Sequence, residues 1–217
     1  IVPYRDNCAD LEMRVDDIRT APISETNALF ITGSGLSRQP SRDATLFAAQ
    51  EAKAHGTKVI LDMDFRSELW PDEREFGHAI GAILPLVNVI LGTSDEFEKA
   101  KQAVAGDKRE MENAESIFTV VPEAVVMKRG AKSTLIFSGA TEIQDVPTFE
   151  VQVCNVLGAG DAFAGGFLYG YLKGWDLYRA TRMGNACGAI VVTRHGCANF
   201  MPFEEEVLRF VEERGGF

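Results

Sequence analysis

Short apolar, β-rich runs alternate with longer helical stretches along most of this 217-residue chain, and that alternation leaves few folds open. Ala28–Thr32, Lys58–Asp62, 87–91, 123–128 and 134–137 read as strands, with a further β-like run at 149–153. Between and after them lie helical patterns at Ser41–His55, at 74–84, from Thr93 onward and at 176–192, then a short acidic C-terminal helix. Strands separated by helices of about ten or more residues build a mostly parallel sheet covered on both faces. No internal repeat or low-complexity linker interrupts the pattern, so residues 1–217 read as one α/β domain.

In such sheets a ligand lies beyond the carboxyl ends of the strands. The residues at those ends carry chemistry: Gly33-Ser34-Gly35, then Asp62, Asp64 and Arg66, then Gly92 to Glu96, then Lys128-Arg129-Gly130, then Gly158 to Asp161. The last group says most. Gly158-Ala159-Gly160-Asp161 opens directly into Ala162-Phe163-Ala164-Gly165-Gly166, a helix start without bulk. Amides at a helix N-terminus lack partners and carry the positive end of the helix dipole, so an anion such as phosphate fits there. A carboxylate in the first turn, beside that anion, can take the proton of an attacking hydroxyl. The pairing reads as phosphoryl transfer to an alcohol. The plainer alternative is a tight turn and a dipole-stabilising acid.

The segment Asn155-Val156-Leu157-Gly158-Ala159-Gly160-Asp161 resembles the second signature of the ribokinase-like (PfkB) carbohydrate kinases. The resemblance implies a three-layer α/β/α sandwich with a mostly parallel sheet. It gives Gly158, Ala159 and Gly160 the anion hole for the transferred phosphoryl group and Asp161 the catalytic base. Family members often begin this signature with Asp-Thr, where this chain has Asn155-Val156, so potassium activation is expected to be weak or absent.

Other positions extend the resemblance. Asp62-Met63-Asp64-Phe65-Arg66 with Trp70 is similar to the segment whose arginine reaches a substrate carboxylate or the phosphate. A guanidinium suits either, gripping two oxygens at once; pairing with Asp62 or Asp64 is the structural alternative. Glu96 stands in the family's Asn-x-x-Glu place, which implies a water-mediated Mg²⁺ contact, while Thr93 replaces the Asn on the nucleotide side. Glu96 also fits a helix-capping acid behind Thr93 or Ser94. Lys128 and Gly130 resemble the turn under the nucleotide phosphates, with Lys128 for a hydroxyl residue and Ser133 for the second glycine. Asn185, among Gly184, Ala186 and Gly188, matches the adenine-side helix. Tyr4 and Arg5 resemble a substrate-binding segment of members acting on keto-deoxy sugar acids, and two arginines point to an anionic substrate. The pattern, including Leu91-Gly92-Thr93…Glu96-Phe97, is most similar to the inositol-breakdown branch of the family.

The net charge of −10 argues against nucleic acid or an anionic membrane as partner. ATP and a small sugar acid are the partners implied, with Mg²⁺ offsetting phosphate charge; a homodimer is left open. No apolar run has the length of a membrane span. The four cysteines show no Cys-x-x-Cys spacing and read as reduced thiols of a cytoplasmic protein. The chain opens at Ile1 inside an apolar run, which suggests a fragment; the family's first strands and small β-lid precede everything matched here. Two rivals stand. Gly33-Ser34-Gly35 after a strand could open a dinucleotide site, although Arg38 occupies the third glycine's place, and the chain could bind nucleotide without turnover.

Overall fold

The structure is a computed structural model that describes residues 8–102, 123–138 and 142–217. The chain divides into two compact units: Ile1–Met127 with Phe137–Gly139, and Lys128–Ile136 with Ala140–Phe217. Strands are mostly parallel and flanked by helices, as the alternating pattern requires.

In the first unit the strands β1 (Ala28–Thr32), β2 (Lys58–Asp62), β3 (Val89–Thr93) and β4 (Ala124–Lys128) neighbour one another in chain order. β1 pairs with β2 in parallel from Ala28 opposite Lys58 to Thr32 opposite Asp62, and β2 pairs with β3 from Ile60 opposite Val89. The helices are α1 (Val15–Arg19), α2 (Ser41–His55), α3 (Glu73–Ile83) and α4 (Ser94–Gln102). Val59, Ile60, Leu61, Val89, Ile90 and Leu91 are all buried, the continuous apolar reading of a strand covered on both faces. Asp72 caps α3 by accepting from the Arg74 and Glu75 amides at 2.9 Å. α2 ends at Gly56, whose φ of 75° suits glycine.

β3 begins two residues later than the apolar run 87–91 suggests. Val87 closes a one-turn 3₁₀ segment by donating to the Leu84 carbonyl, and the Asn88 side chain stands in for a ladder partner, accepting from the Val59 amide at 2.9 Å. The ladder therefore starts at Val89, and Thr93 becomes the last strand residue and the cap of α4.

In the second unit β5 (Ser133–Ser138) neighbours β6 (Glu142–Pro147), and α5 (Ala159–Leu172), α6 (Leu177–Val192) and α7 (Glu204–Glu212) follow. The run 149–153, expected as a strand, is not one; the strand is β6, just before it. Pro147 brings no N–H and ends the ladder. Phe149 instead packs edge-on to Phe210, with ring centroids 5.1 Å apart, and beneath the Arg182 guanidinium. The core here is Phe149, Met183, Ala186, Ile190, Val207 and Val211. Asp176 caps α6 through the Arg179 amide at 2.8 Å. No helix among the described residues is long and apolar enough to cross a membrane.

Candidate active site

The turn before α5 is fastened by local hydrogen bonds. Asn155 Oδ1 accepts from the Leu157 amide at 3.0 Å, the Ala159 amide donates to Val156 at 3.3 Å, and the Gly158 carbonyl accepts from Ala162 at 2.9 Å. Gly158 is the N-cap with φ of 80°, a left-handed backbone that side chains resist. A Cβ there would also lie 2.7 Å from Cys197 Cβ, so two independent reasons demand glycine. Among the described residues the amides of Gly160 and Asp161 have no acceptor, as the second and third N–H groups of a helix should. Asp161 is exposed in that first turn. The expected anion hole and base thus share one short element.

The small residues after Asp161 serve the neighbouring helix. A Cβ on Gly166 would lie 2.9 Å from the Met183 carbonyl, one on Gly170 2.9 Å from Ala180 Cα, and one on Gly184 2.8 Å from the Phe163 carbonyl. Later residues of α5 meet earlier residues of α6, so the two helices run antiparallel, backbone against backbone. That contact fixes where α5 starts.

Along the edge of this contact α5 and α6 wall a cavity of about 290 Å³. Asp161, Gly165 and Tyr169 line it at four-residue spacing, opposite Met183 and Cys187 of α6 and Met201 before α7. Burial pushes the Cys187 thiol up to about 12. At the rim the Tyr169 hydroxyl donates to Glu204, and Lys173 donates to Tyr169. Tyr169, Met183 and Cys187 were missed by sequence reasoning. The i, i+4, i+8 spacing from Asp161 was the available signal for Tyr169.

Near this start, Lys128 Nζ lies 5.7 Å from the Phe163 ring centre and 3.9 Å from where a Gly160 Cβ would stand. Its ammonium is therefore beside the turn that opens α5. Gly130 adopts φ of 62° in the β4–β5 turn. Arg129 Nη2 reaches both Asp145 oxygens at 3.1 Å and also bonds Ser133, so it braces this turn. The Ser133 hydroxyl, ahead of the Arg129 charge, holds the Asp145 carboxyl below its ordinary value.

Asn185 is buried and its amide is committed inside the protein. Oδ1 accepts from Thr134 Oγ1 at 2.8 Å, and Nδ2 donates to the Val146 and Pro147 carbonyls at 3.3 and 3.1 Å. It stitches α6 to β5 and β6. Asn185→Leu should cost roughly 1–3 kcal/mol by stranding buried polar groups, and lower the melting temperature by about 2–4 °C per kcal/mol. Thermal unfolding checks this; an unchanged melting point with weakened nucleotide binding would assign Asn185 to the ligand instead.

In the first unit, Glu96 Oε2 accepts from the Thr93 amide at 2.6 Å while Thr93 Oγ1 accepts from the Glu96 amide at 3.3 Å. This is a reciprocal capping box. Glu96 Oε1 accepts from the Phe65 amide at 2.9 Å, tying the loop after β2 to α4. Each carboxylate oxygen keeps a lone pair for a water or cation. Arg66 Nη2 pairs with Asp64 Oδ1 at 2.7 Å, and Asp64 holds φ of 37°. The guanidinium is still more than half exposed. Tyr4 and Arg5 lie outside the described residues. The dinucleotide rival loses ground: the Gly33–Leu36 turn closes on itself through Ser37 Oγ to Ser34 O and Ser41 Oγ to Gly35 O. α2 opens only at Ser41, whereas a dinucleotide turn opens straight into its helix.

Known proteins match along nearly the whole chain. The pfkB family carbohydrate kinase profile covers residues 1–204. A 5-dehydro-2-deoxygluconokinase of Shouchella clausii (strain KSM-K16) is 33% identical over 214 residues, covering 99% of this chain and 65% of the relative. The chain thus spans just under two thirds of that relative's length. A crystal structure of fructokinase with bound ATP from Xylella fastidiosa superposes with a TM-score of 0.87 at 26% identity, covering 97% of this chain and 69% of that one. A fructokinase double mutant from Vibrio cholerae O395, in a fructose, ADP and potassium ion bound form, gives 0.82 at 27% identity, over 94% of this chain and 66% of that one.

Proposed function

Since the chain belongs to the pfkB family of carbohydrate kinases, we propose that it carries the catalytic part of an enzyme that moves the γ-phosphoryl group of ATP to the primary hydroxyl of a keto-deoxy sugar acid. 5-Dehydro-2-deoxy-D-gluconate is the proposed substrate, because relatives named 5-dehydro-2-deoxygluconokinase match the chain at 30–33% identity. 2-Keto-3-deoxygluconate and other sugars of the family are the alternatives. The observation that carries the reading is the start of α5: a glycine-capped N-terminus with two unpaired amides, and Asp161 in its first turn among the residues lining a cavity.

The proposed chemistry follows from those groups. Asp161 accepts the proton of the acceptor hydroxyl, whose oxygen attacks the γ-phosphorus in line. The Gly160 and Asp161 amides hold the charge that develops on the phosphoryl oxygens, and the Lys128 ammonium adds to them. Among the described residues no three acidic, histidine or cysteine side chains gather to hold a metal. Mg²⁺ keeps several of its waters and binds through nucleotide phosphates with one or two carboxylates, and the Glu96 carboxylate, with a lone pair left on each oxygen, fits that role. Glu96 would meet its water shell, and the ion would supply charge neutralisation at the phosphates. Titration with a fluorescent ATP analogue, set against NADH, tests this reading: saturable binding of the first and none of the second is expected, and the reverse would favour an oxidoreductase.

Arg66→Ala and Arg5→Ala should each weaken use of the sugar acid more than use of the matching neutral sugar. A lost charge-assisted bond to a carboxylate costs roughly 1.5–3 kcal/mol, which is about tenfold to hundredfold in kcat/KM. Equal losses on both substrates would assign the arginines to the fold or the phosphates; for Arg66, its bond to Asp64 is the structural role in question.

Potassium should stimulate weakly or not at all. Asn155 stands where family members often carry an acid, and its amide nitrogen donates toward the His195 carbonyl at 3.4 Å. A neutral donor in place of a carboxylate removes the charge that favours a cation. Strong, saturable stimulation by potassium over tetramethylammonium would contradict this.

A further inference from the structure

The proposed reaction uses only one end of the cavity that α5 and α6 wall. From Asp161 the cavity runs on past Gly165 to Tyr169, which is ~12 Å along the helix. Its floor is buried and apolar, with Met183, Cys187 and Val207. Held up at about 12, the Cys187 thiol stays neutral and packs as a small apolar group. The polar groups at the far end satisfy one another. Tyr169 donates to Glu204, and Lys173 donates to Tyr169 and lies 3.4 Å from the same Glu204 oxygen. Asp161 differs: among the described residues its carboxylate has no hydrogen-bond or ion-pair partner. No lysine, arginine or histidine lines the cavity.

These walls select a guest. A carboxylate or phosphate would lose its water against apolar side chains, find no cation and meet a like charge at Asp161. The hydroxyls of a sugar would find too few partners along the apolar length. An apolar body gains by leaving water there, and an ammonium at its end meets the open carboxylate. An apolar cavity of about 150 Å³ takes a benzene, so about 290 Å³ holds a ring with a short arm. We infer that this cavity is a binding site for a small apolar ammonium ion, of the arylethylamine class, whose nitrogen pairs with Asp161. The bound ammonium occupies the carboxylate that the acceptor hydroxyl needs, so the ligand inhibits phosphoryl transfer. The inhibition rests on the reading of Asp161 as the base; the binding does not.

The test titrates 2-phenylethylamine, 2-phenylethanol and phenylacetate into the protein at the length of its relatives, by calorimetry and thermal shift at fixed ionic strength. The amine should bind, the alcohol about tenfold more weakly, and the acid not measurably. Asp161→Asn should bring the amine down to the affinity of the alcohol and leave the alcohol unchanged. Gly165→Leu should remove both without lowering the melting temperature, because nothing lies within 4 Å of the Gly165 Cβ position and the added bulk stands beside the cavity. With sugar acid below its KM, amine at ten times its Kd should slow ADP release about tenfold, the fraction of sites left open. No binding of the amine, or equal binding of the acid, overturns the site. An amine no tighter than the alcohol, or one unaffected by Asp161→Asn, overturns the pairing. Binding that leaves ADP release unslowed overturns the inhibition. If Asp161→Asn without ligand keeps its kcat, the base reading fails, while the titrations still decide the site.

Discussion

Asp161→Asn, in the protein at the length of its relatives, is expected to keep its fold and nucleotide affinity and lose about 10²–10⁴-fold in kcat. Asp161 is exposed and makes no bond that the α5 start depends on: Gly158, Ala159 and Ala162 close the turn through their own backbones. Asn is nearly isosteric and leaves the Gly160 and Asp161 backbone amides in place, so phosphate binding persists. What it lacks is the ability to accept the hydroxyl proton. Steady-state kinetics beside analogue titration separate the two effects. A variant with unchanged kcat would remove Asp161 from the mechanism. One that loses nucleotide binding as well would make it a binding residue.

Gly166→Val should be the most damaging single change to the scaffold. A Cβ at this position would lie 2.7 Å from Cys187 Sγ, 2.9 Å from the Met183 carbonyl and 3.0 Å from Gly184 Cα. Two of those neighbours are backbone and cannot turn aside. Replacing a helical glycine normally gains up to about 1 kcal/mol of propensity. Overpacking here costs about 1–3 kcal/mol or more, and Val's branch adds to it, so the sign is destabilising. Because α5 and α6 must separate, the amide pair at the start of α5 moves too. A melting temperature several degrees lower and weakened analogue binding are expected together. Gly165→Ala is the control for the melting temperature: it lines the cavity beside Asp161, but nothing lies within 4 Å of its Cβ position. Equal effects from both would mean that the close α5–α6 approach is not what positions the turn.

The parts legible in the sequence were those encoded by neighbours along the chain. Gly158-Ala159-Gly160-Asp161 carries its left-handed cap, its unpaired amides and its carboxylate within four consecutive residues. The Thr93–Glu96 capping box is likewise local, and its two reciprocal bonds are present. The third bond of Glu96, from the Phe65 amide 31 residues away, was not readable. Asn185 suggested a ligand contact through its resemblance to the family's adenine-side helix; its partners inside the protein, Thr134, Val146 and Pro147, arrive from two strands and could not be read along the chain. β6 was overlooked because Glu142-Ile143-Gln144-Asp145 lacks the apolar run of a strand covered on both faces. The cavity beside Asp161 is built by α5, α6 and the segment entering α7, so only half of it could be anticipated, from the face that Asp161 and Tyr169 share.

The most direct measurement of the central claim is acceptor-dependent ADP release by the protein at the length of its relatives, with Mg·ATP and one acceptor at a time. 5-Dehydro-2-deoxygluconate, 2-keto-3-deoxygluconate and fructose are the informative set. ADP should form in step with a phosphorylated keto-deoxy acid, fastest with the first of these, and release should collapse in Asp161→Asn. ADP formed equally with no acceptor, or fastest with fructose, would contradict transfer to a sugar acid.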